Sequence, residues 1–177
     1  SSEGNDWTVW HSGINSTSGN STRTFLNNNS VNGSGGASIA AAGTTTFTIP
    51  DDGYYHGRNF AFYSWRSIPG FSKFGSFEGN NSTDGSLIML DFSPAWVMVK
   101  NIDSATGGNW WTVDSARDSY NPADKELILD GTSTEDTDLS AVMLDFGSNF
   151  FKMRCSGAGS PNSAHTFIYA AFGDAFA

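Results

Sequence analysis

The chain has 177 residues, of which 14% are aromatic and only 15% charged, and its formal net charge is −9. An acidic chain argues against nucleic-acid binding, because phosphate contacts need clustered Lys and Arg. No segment approaches the roughly 18 apolar residues of a membrane-spanning helix, so membrane insertion is not expected. Aromatic residues for a core, with Ser, Thr, Asn and Gly for the surface, favour an all-β protein with long polar loops.

The N-terminal part predicts short strands between polar loops. Strands are expected at residues 6–10, 24–26, 44–49 and 59–65, and the last is the strongest because aromatic residues recur along it. Helical periodicity is absent, and the short run of alanines at 40–42 lies between glycines that leave too few residues to sustain a helix.

The C-terminal part predicts about eight short strands, as in a two-sheet antiparallel β-sandwich of jelly-roll type. The segments are 71–77, 87–92, 96–100, 110–113, 126–129, 142–146, 150–153 and 165–172. Both faces of segment 96–100 are largely apolar, which predicts a central strand. Cys155 shares a strand face with Phe151 and Met153, so a buried, inert thiol is expected.

Four short motifs occur twice in the same order, about 103 to 107 residues apart. They match Asp6-Trp7-Thr8-Val9 with Trp110-Trp111-Thr112-Val113, Thr24-Phe25-Leu26-Asn27 with Leu127-Ile128-Leu129-Asp130, Phe47-Thr48-Ile49 with Phe151-Lys152-Met153, and Phe60-Ala61-Phe62-Tyr63 with Phe167-Ile168-Tyr169-Ala170. The pattern predicts one and a half copies of a repeat of about 105 residues. Residues 1–69 are the C-terminal half of a first copy, and residues 70–177 are a complete second copy.

A chain that begins inside a repeat is expected to be a piece of a longer polypeptide or a processed product. Residues 1–66 are then expected to complete a sandwich with a neighbouring chain or with an upstream segment rather than to fold alone.

Three stretches, GFSKFGSFEGNNSTDG (70–85), SPAWVMVKNIDSATGGNWWTVDSARD (93–118) and FIYAAFGDAF (167–176), resemble a domain of unknown function. That domain recurs in tandem in tail-fibre and other virion structural proteins of tailed bacteriophages, many of them marine. The resemblance implies a non-enzymatic structural or host-contacting module on the surface of the virion. It also implies association with other virion proteins and a homo-oligomer, with a trimer as the common state of such fibres.

A host-surface glycan is the expected ligand, because sugars offer apolar faces for aromatic rings and hydroxyls for short polar side chains. The candidate residues are Asn109 with Trp110, Tyr120 with Asn121, and Tyr54 with Tyr55. Neighbouring strand residues point to opposite faces, and Trp7 is aligned with Trp111, so Trp111 is expected in the core and Trp110 at the surface. For Trp110 itself, packing against a partner subunit is favoured over a ligand contact.

No cofactor or metal site is expected. The acidic segment 135–138 and the turns at 51–53 and 84–85 offer oxygens for calcium, but none has EF-hand spacing, and solvated loop carboxylates are the simpler interpretation. Asp114 and Arg117 are expected to form a local ion pair that stabilises a turn.

Three other functions remain open. The same module could serve a fibre or decoration protein of the capsid head, or it could be a secreted bacterial lectin-like module. A depolymerising tailspike enzyme is the least favoured, because no pair of carboxylic acids stands out and these strands do not suggest a parallel β-helix.

Overall fold

The computed structural model describes residues 6–14, 22–30, 33–34, 39, 41–49, 57, 59–135 and 143–174. Within these ranges every regular element is a β-strand, and no helix is long and apolar enough to cross a membrane. In chain order the strands are β1 (Thr8–Val9), β2 (Thr22–Phe25), β3 (Gly33–Ser34), β4 (Ala41–Ala42), β5 (Phe47–Thr48), β6 (Ser72–Glu78), β7 (Leu87–Met89), β8 (Pro94–Asn101), β9 (Trp110–Asp114), β10 (Leu127–Ile128), β11 (Leu144–Phe146), β12 (Phe150–Met153) and β13 (Thr166–Gly173).

The larger sheet has five antiparallel strands in the order β10-β9-β8-β13-β6. Strand β13 lies inside the sheet, next to the edge strand β6, and pairs along nearly its whole length with β6 on one side and with β8 on the other. Its side chains are buried on both faces from Phe167 to Ala171, which fits a run of apolar residues without polar alternation. Strand β8 also lies inside the sheet, so the central strand predicted at 96–100 is confirmed.

The smaller sheet has the order β11-β12-β7 and packs face to face against the five-stranded sheet. Phe151 of β12 is fully buried between the layers, with its ring centroid 5.4 Å from that of Tyr169 and 6.3 Å from that of Phe77. The described part of residues 70–177 contains eight strands. The predicted all-β antiparallel sandwich is therefore confirmed.

A glycine makes room for one of these core rings. A Cβ atom on Gly75 of β6 would lie 2.8 Å from the ring of Tyr169, which is opposite it on β13. Such a distance is well inside van der Waals contact, so any larger residue would displace the ring. Cys155 also lies in this core, where burial raises the pKa of its thiol to about 12. The expected buried thiol is confirmed.

Strand β1 and the turn after it pack on the outer face of the five-stranded sheet. The His11 imidazole donates from Nε2 to the carbonyl oxygen of Tyr169 (3.2 Å), and its Nδ1 accepts from the Gly13 amide (2.9 Å). Gly13 lies close against Ile168 and Ser76. Burial lowers the pKa of His11, although the bond to Tyr169 acts in the other direction. The neutral ring thus fits this place.

Strands β1 and β2 form a hairpin with a specific set of hydrogen bonds. The Trp7 amide donates to Asn27 Oδ1 (2.8 Å), and the Leu26 amide donates to the Trp7 carbonyl (2.9 Å). Thr8 is opposite Phe25 in the ladder. The Asn27 side chain therefore closes the start of β1 and sets its register against β2.

Strands β9 and β10 repeat this arrangement. The Trp110 amide donates to Asp130 Oδ1 (2.9 Å), and the Leu129 amide donates to the Trp110 carbonyl (2.9 Å). Trp7 thus corresponds to Trp110, and the sequence-based match with Trp111 is wrong by one residue. The letters Trp-Thr-Val match Trp7 with Trp111, whereas the hydrogen bonds place Trp7 in the strand position of Trp110.

A second pair of hairpins is also alike. The Gly43 amide donates to the Thr46 carbonyl (2.7 Å) between β4 and β5, and the Gly147 amide donates to the Phe150 carbonyl (2.9 Å) between β11 and β12. The strand registers match as well, at a spacing of about 104 residues. These likenesses support the repeat, whose copy number and boundaries at 1–69 and 70–177 stay predictions.

The strongest strand prediction in the N-terminal part is wrong. Residues 59–67 belong to no strand of the described chain, and they are exposed. Phe62, Tyr63 and Trp65 expose 50%, 65% and 66% of their surface. The local pattern does favour a strand, but a strand forms only where a neighbour supplies hydrogen-bond partners.

Truncating the ring between the two layers tests the sandwich. We expect Phe151→Ala to lower the free energy of unfolding by about 3 to 5 kcal/mol, because it empties a fully buried site in a packed core. Leu87→Ala is the matched control, since Leu87 is exposed, and it should cost less than about 1 kcal/mol. Urea denaturation followed by Trp fluorescence measures both. Equal losses in the two variants would contradict the two-layer arrangement.

Candidate functional site

Trp110 is buried, with only 3% of its surface exposed. Its indole Nε1 donates to the carbonyl oxygen of Phe25 (2.7 Å), and its ring packs with Ile102 and Ile168 under the N-terminal segment. Trp111 is buried on the inner face. The prediction of an exposed Trp110 is therefore wrong. Residues of the described ranges 6–14 and 22–30 cover the outer face of the sheet, which a strand-alternation argument cannot anticipate.

Lys100, which sequence reasoning missed, lies beside Trp110 and is fully buried. Its ammonium donates to the carbonyl oxygens of Ser30 (2.9 Å) and Asn101 (2.8 Å) and lies 5.9 Å from the centroid of the Trp110 ring. Burial lowers the pKa of Lys100 to about 8, while Asp130 acts against this change. Lys100 thus ties the N-terminal segment to β8, and no sequence signal distinguishes it from a surface lysine.

Asn109 is half-buried at the start of β9. The neighbouring Gly108 lies so close to the Asn29 carbonyl oxygen that a Cβ atom would come within 2.5 Å of it. A glycan therefore has no access to the Trp110 ring from this side in the folded chain. Tyr54 and Tyr55 lie outside the described residues.

Among the described candidates, Tyr120 has the most exposed aromatic ring, with 83% of its surface accessible. It lies on the connection from β9 to β10, which hydrogen bonds hold on both sides. Asp118 Oδ2 accepts from the amides of Asp124 (2.6 Å) and Lys125 (3.2 Å). The Lys125 ammonium donates back to the Arg117 carbonyl oxygen (2.7 Å). The loop therefore presents the Tyr120 ring on a fixed base.

Asn121 is exposed, and its side chain is part of the hydrogen-bonded base of the loop. Its Nδ2 donates to the Phe146 carbonyl (2.7 Å), and its Oδ1 accepts from the Phe146 amide (2.8 Å). The following peptide bond, to Pro122, is cis. Ala123 is fully buried and bonds through its amide to the Leu144 carbonyl (2.8 Å). Asn121 is thus a positioning residue for Tyr120.

The predicted Asp114–Arg117 ion pair is present. Arg117 donates from its backbone amide to Asp114 Oδ1 (2.8 Å) and from Nε to Asp114 Oδ2 (2.5 Å), and its Nη1 reaches Glu135 Oε2 (2.7 Å). Burial acts to raise the pKa of Asp114, but the hydrogen bonds from Arg117 outweigh it and the pKa lies below its usual range. The pair closes the turn from which the Tyr120 loop starts.

Glu135 also lines an open, polar groove of about 320 Å³ together with Glu126, Ile128, Ser133 and Thr134. Among the described residues, no group of three or more His, Cys, Asp or Glu side chains could hold a metal ion. Asp84 forms an ion pair with Lys152. Residues 51–53 and 136–138, which carry the other carboxylates considered for calcium, lie outside the described residues.

The sequence signal for the Tyr120 loop was partial. An aromatic residue next to an asparagine marked Tyr120 and Asn121 as glycan contacts. In the structure Tyr120 is exposed, and the Asn121 side chain bonds to the Phe146 backbone. Asp118, which accepts from two amides, was missed. Burial acts to raise the pKa of Asp118, but the hydrogen bonds from these two backbone amides hold the pKa below its usual range. Asp118 lies six and seven residues before Asp124 and Lys125, and no known sequence motif has this spacing.

Replacing Lys100 tests its buried position through pH. The pKa of about 8 in the folded chain is below that of an unfolded lysine, so the unfolded state binds more protons between these values and stability rises with pH there. Relative to Lys100→Met, the native chain should gain about 1 kcal/mol between pH 7 and 9. Urea unfolding at both pH values measures this difference. Cys155 makes stability fall with pH, but it does so equally in both proteins, so its effect cancels in the comparison. An identical pH dependence in the two proteins would contradict a buried Lys100.

Comparison with known proteins identifies one family. No curated protein and no solved structure matches the chain. A family model described as a domain of unknown function, DUF7483, matches residues 1–175 and so covers both the N-terminal strands and the sandwich. The chain therefore belongs to the family of the domain of unknown function DUF7483.

Proposed function

We propose that the chain is a non-enzymatic structural protein of a tailed-phage virion, a tail-fibre module that also contributes to attachment at host-surface glycans. The stretches that resemble phage fibre domains are structural in this fold. Stretch 70–85 contains β6, stretch 93–118 contains β8 and β9, and stretch 167–176 contains nearly all of β13. The resemblance therefore covers four of the five strands of the larger sheet. It supports a structural role for these stretches rather than a catalytic one.

The observation that carries the attachment part is the presentation of Tyr120. An exposed ring on a hydrogen-bonded base loses little conformational entropy when a ligand stacks on it, so binding energy is retained. Ser119 is exposed beside it, and Asp118 and Arg117 are partly exposed at the same turn. These groups supply the hydroxyl, carboxylate and guanidinium partners that sugar hydroxyls require.

The composition of the surface supports assembly with other subunits. Several large aromatic side chains of the N-terminal part are exposed, and large exposed apolar patches are typical of protein–protein contacts. A homo-oligomer, with a trimer as the usual fibre arrangement, and other virion proteins are the partners of this proposal. Its location is the outer surface of the particle, on a tail fibre rather than on a head fibre or decoration protein.

Removing the Tyr120 ring tests glycan binding. On a glycan array and in a host-cell binding assay, we expect Tyr120→Ala to weaken binding by about tenfold or more, as for a ring at the centre of a contact. Its free energy of unfolding should stay within about 0.5 kcal/mol of that of the native chain, because the ring is exposed.

Tyr63→Ala is the matched control, since Tyr63 is another exposed tyrosine outside this loop. It should bind as the native chain does. Binding that survives Tyr120→Ala, or that both variants lose equally, would refute the assignment of attachment to the Tyr120 loop. A well-folded chain that binds no glycan would leave the module with a structural role alone.

A further inference from the structure

The segment from Asn59 to Arg66 has the sequence of a buried strand, but its residues are exposed and form no strand in the described chain. Four of its eight residues are aromatic, and Arg66 carries its only charge. Tyr63 stacks on Trp65 and lies near Trp7, both at 6.2 Å between ring centroids. A strand-like apolar segment with few charges is a ready template for pairing with another chain.

The complete sandwich shows what this segment corresponds to. Phe62 stacks on Phe47 of β5 at 4.2 Å, and Tyr169 contacts Phe151 of β12 at 5.4 Å. The hairpins that carry Phe47 and Phe151 have matching registers and turn hydrogen bonds. Phe62 therefore occupies the place of Tyr169, and the segment 60–66 occupies the place of β13.

Strand β13 has partners that the described part of the first unit lacks. It pairs with β6 on one edge and β8 on the other, whereas no strand of the described residues pairs with 59–67. Similarly, β12 pairs with β7 as well as β11, whereas β5 pairs only with β4 among the described residues. The neighbours that the described part of the first unit lacks are thus counterparts of β6, β7 and β8, which are consecutive in the chain.

We propose that the segment 60–66 and strand β5 form an acceptor site for one β6–β8 segment, residues 70–101 or their equivalent, contributed by a neighbouring copy of this domain. One continuous donor supplies strands for both edges of 60–66 and for the edge of β5 that no strand of the described residues pairs. This is strand addition, in which main-chain hydrogen bonds give affinity and side-chain pockets give specificity. The inference does not depend on glycan attachment.

The register of the complete unit defines the specificity of the site. In that unit Gly75 lies opposite Tyr169 and Phe77 opposite Phe167, and any side chain at position 75 would collide with the Tyr169 ring. The donor must therefore carry a glycine opposite Phe62 and an aromatic residue two positions further on. A generic apolar strand with a side chain at the glycine position does not fit.

The contact between Trp7 and Tyr63 explains how the site exists without a donor. Strand β1 corresponds to β9, so a β8-like strand belongs between β1 and 60–66. In the present structure the Trp7 and Tyr63 rings meet across this place. Both rings remain more than half exposed, and an aromatic pair of this kind contributes only about 0.5 to 1.5 kcal/mol. A donor that adds a ladder of hydrogen bonds can therefore replace it.

The test adds a donor in trans to the full chain. Residues 70–101 are fused to a solubility partner, mixed with the purified chain, and amide hydrogen exchange is measured by mass spectrometry. We expect saturable binding with at least tenfold slower exchange at residues 60–66 and in β5, and unchanged exchange in β13. The same fusion with Gly75→Val is the matched control and should give no protection.

Acceptor variants separate this site from other contacts. Phe62→Ser in the full chain should abolish donor binding while its unfolding midpoint stays near that of the native chain, because Phe62 is half exposed. Protection at 166–173 instead of 60–66, equal binding of the Gly75→Val donor, or no binding at all would overturn the proposal. So would a homodimer, seen by light scattering, that pairs two 60–66 segments and excludes the donor.

Discussion

A central aromatic strand has to be paired on both edges and covered on both faces, and the structure is arranged around that requirement. For β13 it is met in full: β6 and β8 saturate its backbone, the smaller sheet covers one face, and the N-terminal segment covers the other. Unpaired peptide groups and exposed rings on such a strand would each cost free energy, so the four neighbours act together. The glycine at position 75 belongs to the same requirement, because it lets a tyrosine ring lie over the partner strand.

The outer face is completed by polar as well as apolar contacts. A neutral His11 and a buried Lys100 both donate to backbone carbonyl oxygens at this junction. Buried polar groups are tolerated only when they are hydrogen-bonded, and here they fix the position of a segment with little apolar area of its own. The N-terminal segment is thus part of the folded unit rather than an appendage, which agrees with a family match that extends over it.

The Tyr120 loop and the 60–66 segment are both exposed, but they differ in the kind of ligand they can bind. The Tyr120 loop is anchored by hydrogen bonds to its own backbone and to Phe146, so it presents one ring on a stable base. The 60–66 segment presents several rings and a backbone without a strand neighbour in the described chain. A rigid platform suits a small polar ligand, whereas a strand-like segment that no described strand pairs suits another polypeptide. The proposed virion module would use the first for the host and the second for assembly.

Local sequence determined much of this protein. Alternating and aromatic residues placed most of the C-terminal strands within one to three residues of their observed ends, and strand count and composition specified an antiparallel sandwich. The turn at Asp114 and Arg117 was also predictable, because both partners lie within one turn of chain. The recurrence of short motifs indicated which hairpins are alike, although matching identical residues aligned Trp7 with Trp111 instead of Trp110.

Tertiary structure decided what lies outside and inside. Trp110 is buried because a segment about 85 residues away in sequence covers it through the Phe25 carbonyl, and Lys100 is buried for the same reason. The 59–65 segment has strand propensity but forms no strand in the described chain, because pairing depends on a neighbour that propensity does not encode. The Asn121 side chain bonds to the Phe146 backbone because the strand carrying Phe146 passes beside it. Contacts between distant residues set burial and partners, and a local pattern contains no information about them.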